Sequence, residues 1–144
     1  MHKSAALALL VAAPLAAFAQ MSPVGIWHSI DDTTRETKSE IVIADSGGVL
    51  TGRIAKLLRR DVKQDAVCDL CTDDRKDKPI LGMEIIRGAK KQDGKEVWED
   101  GKILDPENGK SYTLRLTPIE AGKKLDVRGS MFGVGRTQTW VRVQ

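Results

Sequence analysis

The sequence predicts an all-β domain: one small antiparallel sheet that either closes into a barrel or folds into a two-layer sandwich. Three observations carry this. Apolar residues recur at short spacings between turn signals, and no window sustains a helical period. Tyr112, Leu114 and Leu116 alternate with Ser111, Thr113 and Arg115, which sets one face inward and one in water. From Asp93 onward the turns return at intervals of about 12 to 15 residues, the rhythm of an antiparallel meander. No helix is long enough to cover the apolar face, so the sheet must bury it against itself.

The elements follow in order. Residues 24–30 form a first strand, ended by Asp31-Asp32, and residues 39–44 a second. Ser46-Gly47-Gly48 is a hairpin turn into a third strand over 49–58, with Leu57-Leu58 expected to cap one end in a short helical turn. Residues 80–87 form a fourth, followed by Asp93-Gly94, a short strand around Val97-Trp98 and another over 101–104. Asn108-Gly109 is the strongest short hairpin signal in the chain. Residues 111–117 pair across it, Gly122 turns the chain again, and strands over 124–128 and 136–143 finish the domain.

Composition bounds the class. The 144 residues are 41% hydrophobic and 30% charged, an ordinary globular balance, with room for one domain. Lys plus Arg is 23 against 20 Asp plus Glu; the net +3 is too small and too interspersed to mark a nucleic-acid surface. Residues 1–19 read as a signal peptide: Lys3, an apolar run over 5–15, then the small-x-small motif Ala17-Phe18-Ala19. Cleavage after Ala19 leaves a single domain of residues 20–144, expected in the periplasm or secreted. The apolar run is shorter than the roughly 20 residues of a transmembrane helix, and no later stretch is apolar enough to span a bilayer.

Residues 59–78 break the pattern. They carry 12 charges in 20 positions, six of each sign, and read as a solvated excursion pinned by Cys68 and Cys71 and ended by Pro79. In an oxidising compartment thiols this close are expected as a disulfide. The ring is small, worth about 2 kcal/mol before strain, so its role is local. A redox-active pair is the alternative; it requires a helix N-terminus, and Asp65, Asp69, Asp73 and Asp74 would raise rather than lower a thiol pKa. Thr72 stands where haem attachment requires His, and a zinc site lacks two further ligands, so no metal or cofactor is expected. Asn108-Gly109-Lys110-Ser111 imitates the tail of a phosphate loop, but Leu104 stands where its first glycine belongs. His28 is the only histidine after residue 19, which argues against His-dependent catalysis.

The two chain ends carry a further pattern. Gly25-Ile26-Trp27 opens the first strand, and the last strand holds Arg136, Trp140 and Arg142. In a closed up-and-down barrel these strands are neighbours, so Trp27 can meet Arg136 or Arg142 in a cation–π contact worth about 0.5 to 2 kcal/mol. Such a GxW with a closing-strand Arg resembles the lipocalin and wider calycin barrels, whose interiors hold small apolar ligands. A longer series runs in a consistent order: Ser22-Pro23-Val24-Gly25-Ile26-Trp27, Leu50-Thr51-Gly52-Arg53-Ile54, Cys68-Asp69-Leu70-Cys71, Lys76 to Gly82, Gly101 to Tyr112, and Val127-Arg128-Gly129 through Trp140. It resembles the exported bacterial family called domain of unknown function 2147. The resemblance implies an envelope location and a calycin-like barrel of about eight strands; it implies no activity. Two positions depart from the pattern. Ser130 follows Gly129 where an aromatic residue is usual, with Phe132 the candidate to replace it, and Thr72-Asp73 stands for Thr-Gly.

The function expected is non-enzymatic binding of a small apolar or amphipathic ligand. Trp27, Asp105, Tyr112, Arg128 and Arg136 are the candidate binding residues, because a few polar and aromatic groups framed by strands orient a ligand in an apolar pocket. Each also has a structural reading: Arg136 on Trp27, Asp105 in its own turn, Tyr112 in the core. The alternative is an envelope interaction or maintenance module that meets a protein partner through the charged loop 59–78. Thiol–disulfide exchange at Cys68 and Cys71 is the enzymatic alternative.

Overall fold

The computed structural model describes residues 9–10 and 21–144. The signal-peptide reading of residues 1–19 therefore lies outside the described residues, Leu9 and Leu10 apart. Eight antiparallel strands form a closed barrel in chain order: β1 (Gly25–Ile30), β2 (Thr37–Ser46), β3 (Val49–Leu57), β4 (Glu84–Lys91), β5 (Trp98–Asp105), β6 (Lys110–Ile119), β7 (Lys124–Met131) and β8 (Val134–Arg142). Closure removes the sheet's exposed edges, and the barrel resolves the choice between barrel and sandwich. The period-2 pattern holds on β6, where Leu114, Leu116 and Pro118 are buried and Thr113 and Arg115 exposed.

Several boundaries differ from expectation for identifiable reasons. Residues 80–83 do not start β4; Met83 and Gly82 instead exchange backbone hydrogen bonds with Ile54, and the strand begins at Glu84. The two short segments near Trp98 and 101–104 are one strand, β5, irregular where Asp100 adopts φ 64°. Leu57-Leu58 makes no helical turn; the short 3-10 helix is Glu120–Gly122, between β6 and β7. Phe132 does not replace the aromatic residue expected after Gly129. It sits at the tip of the β7–β8 hairpin, 97% exposed.

One end of the barrel is shut. Trp27, Ile43, Leu50, Ala89, Trp98, Leu116 and Leu125 pack there, all buried. β1 and β8 share only the register pairs Trp27↔Arg142 and His28↔Val141, so side chains must reinforce the closure. Arg142 does this. Its guanidinium lies 4.2 Å from the centroid of the fully buried Trp27 ring, while Nε donates to the Gly122 carbonyl (2.6 Å), Nη1 to Val24 (2.9 Å) and Nη2 to Ser22 (2.6 Å). Trp27 Nε1 donates to the Pro23 carbonyl at 2.7 Å. One planar fork thus ties the segment before β1, the β6–β7 turn and β8 around one indole. Gly25 makes room for it, because a Cβ there would stand 2.5 Å from Arg142 Nη1, and its φ of +143° disfavours any side chain. Burial lowers the Arg142 pKa, against a normal value high enough to keep it charged.

Arg142→Ala should therefore cost about 2 to 4 kcal/mol in urea denaturation, from the lost cation–π contact and charged hydrogen bonds. Arg142→Lys keeps the charge without the fork and should lose roughly half as much.

Candidate functional site

The opposite end is open. It leads into a cavity of about 360 Å³, between the mouth and the packed half of the barrel. Residues of the strands build the wall, among them Ile41 on β2, Ile54 on β3, Ile85 on β4, Leu104 on β5, Val127 on β7 and Trp140 on β8. Ser29 and Ser39 also line it, and their hydroxyls pair with each other at 2.7 Å. Trp140 is 2% exposed, and its Nε1–H has no acceptor among the described residues. A buried, unpaired donor costs about 1 to 3 kcal/mol, which makes it an outlier in an otherwise satisfied interior.

The rim is charged. Arg59 Nη2 lies 2.9 Å from both Asp31 and Glu107, Lys38 Nζ lies 3.6 Å from Glu107, and Arg136 forms an ion pair with Asp32. Asp31 is held down to about 2 by the backbone amides of Thr34 and Thr33, with Arg59 adding to the effect. Asp105 shapes one lip: its carboxylate accepts from the Glu107 amide at 2.9 Å, and its carbonyl from Gly109 at 2.8 Å. Tyr112 stands beside that lip, its hydroxyl accepting from the Asn108 side-chain amide at 2.9 Å.

Among the expected residues, the fold brings Asp105, Tyr112 and Arg136 together on this cavity and leaves Trp27 and Arg128 away from it. Trp27 faces inward at the shut end under Arg142. Val127 and Gly129 line the cavity, so Arg128 between them projects from the outer face of β7. Sequence reasoning missed Trp140, Arg59 and Lys38 as lining groups. Trp140 was reachable by alternation along β8; Arg59 was not, because it belongs to a segment with no period.

The segment between β3 and β4, residues 58–83, is a strap folded onto the mouth; ten of the twelve charged residues over 59–78 are exposed, as expected of a solvated excursion, and only Arg59 and Arg75 are drawn in. Val62 and Ile80 complete the cavity wall. Cys68 and Cys71 form a disulfide and are both buried. The Cys68 amide donates to Lys78, and the Asp77 amide to Cys68. The cysteines do not stand at a helix N-terminus, the position that activates a thiol. Some of the strap's charges fasten it. Arg75, only 8% exposed, binds the Asp73 carboxylate and donates to the Glu84 carbonyl at 2.9 Å, and Arg87 of β4 forks onto Asp74 with both distances 3.0 Å. Asp73, where glycine was expected, is thus the clasp for Arg75. Gly109 in the β5–β6 turn admits the strap, since a Cβ there would lie 2.0 Å from the Leu70 carbonyl oxygen.

The hydrogen bonds and cation of Arg75 hold Asp73 down to about 2, as the Thr34 and Thr33 amides hold Asp31. Both carboxyls are depressed in the fold, so the stability they bring is complete above the ordinary value of 3.8 and is lost as pH falls from 3.8 toward 2. The melting temperature should stay level from neutrality to about pH 4 and fall below it. In Asp73→Asn part of that acid slope should be missing.

Comparison with known proteins agrees with this architecture. The pattern of the family described as "Uncharacterized protein conserved in bacteria (DUF2147)" matches residues 25–142. No curated protein matches the chain. Among solved structures, protein HP1028 of the human pathogen Helicobacter pylori, described as belonging to the lipocalin family, is similar with a TM-score of 0.70 and 18% identity over 84% of this chain and 82% of that one. At that identity the likeness is one of fold. The chain belongs to the DUF2147 family, carried on a lipocalin-like eight-stranded barrel.

Proposed function

We propose that the protein is an exported, non-enzymatic carrier that holds a small amphipathic molecule in the open end of its barrel. The observation that carries the reading is the cavity itself, apolar in its depth and ringed by Lys38, Arg59 and Arg136 at its mouth. Its volume falls within the range of small-molecule sites, about 300 to 1,000 Å³. The ligand class that fits is an apolar body with a polar or anionic group that the rim cations can meet. Export is supported by the signal-like residues 1–19 and by the disulfide. The strap serves this site, since Val62 and Ile80 wall the cavity while Arg75 and Asp74 tie the segment to β4.

Dodecanoate displacing a fluorescent anilinonaphthalene sulfonate probe tests the reading. The wild type should bind, and Arg136→Ala should weaken binding by about three- to tenfold through loss of rim charge. Failure of both molecules to enter, with the barrel folded, would overturn it.

A further inference from the structure

The β7–β8 hairpin ends in two residues, Phe132 and Gly133, between the paired Met131 and Val134. Both have positive φ, 53° and 79°, the signature of a type I′ turn. Such turns take Asn-Gly or Asp-Gly, because a bulky side chain at positive φ is strained. Phe132 is nevertheless there, 97% exposed, with Val134 beside it 77% exposed. An aromatic ring in water at a backbone position that disfavours it contributes nothing to the barrel. Residues that break a local rule without a structural gain mark function.

The surroundings say what the tip meets. Arg128, four residues before Phe132, lies across β8 against Gly135, where a Cβ would stand 2.5 Å from its Nη2. Among the described residues its guanidinium has no hydrogen-bond or ion-pair partner. A free cation is thus laid flat just behind an exposed apolar tip, the arrangement that pairs an anionic headgroup with a shallowly inserted ring. The area argues against a protein partner. Phe132 and Val134 together offer on the order of 300 Å², well below the roughly 800 Å² each side of a specific protein interface buries. A bilayer needs only the tip. The hairpin also stands on the open end, since Gly129 and Arg136 at its base line the cavity.

We infer that the β7–β8 hairpin is a membrane-contact element: Phe132 and Val134 enter the headgroup region of an anionic bilayer, and Arg128 meets lipid phosphate. The contact turns the mouth of the barrel toward the bilayer. It does not depend on what the cavity holds.

The test is flotation of residues 20–144 with vesicles. This piece contains every strand and omits the apolar run that would itself bind lipid. Vesicles of phosphatidylglycerol and phosphatidylethanolamine should carry the protein, and phosphatidylcholine vesicles should carry it less. Phe132→Asn should reduce binding about tenfold or more, and at the same time raise the melting temperature by giving the turn its preferred residue. Arg128→Gln should reduce binding to the anionic vesicles by about fivefold and leave the neutral ones unchanged. Absence of flotation, flotation indifferent to Phe132→Asn, or a lower melting temperature in that variant each overturns the inference. So does a wild-type dimer that ignores vesicles and becomes a monomer with Phe132→Asn, since the tip would then serve a second copy.

Discussion

Closure at one end is the constraint on which the remainder of the molecule depends, and it is concentrated in the stack of Arg142 on Trp27. β1 and β8 meet over a short register, so the barrel seam needs a side-chain fastening. Arg142 supplies a cation on an indole face and three hydrogen bonds to carbonyls of otherwise unconnected segments. Because those segments flank β1 and precede β7, fixing them fixes the seam from both sides. With that end packed solid by Trp98, Leu116 and Leu125, empty volume collects at the other.

The open end is then finished by a segment outside the barrel. The strap is held against the barrel by a few polar contacts: Arg75 on Asp73 and on the Glu84 carbonyl, and Asp74 on Arg87 of β4. The disulfide holds a turn whose backbone docks on Gly109, at the lip that Asp105 shapes. The result separates two environments a few residues apart, isoleucines and Trp140 within, paired cations and carboxylates without. An amphipathic molecule matches both.

Local sequence patterns carried most of the fold. The alternation in β6 and the Gly47-Gly48 and Asn108-Gly109 turns are encoded within short windows, and the pairing of the first and last strands follows from closing an up-and-down sheet, which is why they were legible. The site was legible only in part. Asp105, Tyr112 and Arg136 lie on strand ends that point to the mouth, whereas Trp27 shares their chemistry but belongs to the shut end, a distinction set by barrel register and not by residue type. Arg59 and Ile80 reach the cavity through the docking of an aperiodic strap, which depends on pairings such as Arg75 with the Glu84 carbonyl that no spacing announces. Phe132 is a candidate to replace the aromatic after Gly129 by its residue type alone; the two-residue turn that carries it outward has no Asn-Gly or Asp-Gly signal.

The central claim is that the cavity is occupied in the protein's own setting. Native mass spectrometry of the protein purified without detergent from the cells that make it tests this most directly. The account predicts an added mass from one small molecule, lost on denaturation and absent when Ile103→Trp fills the cavity. A wild-type protein that emerges folded, with its disulfide intact and only its own mass, would contradict it.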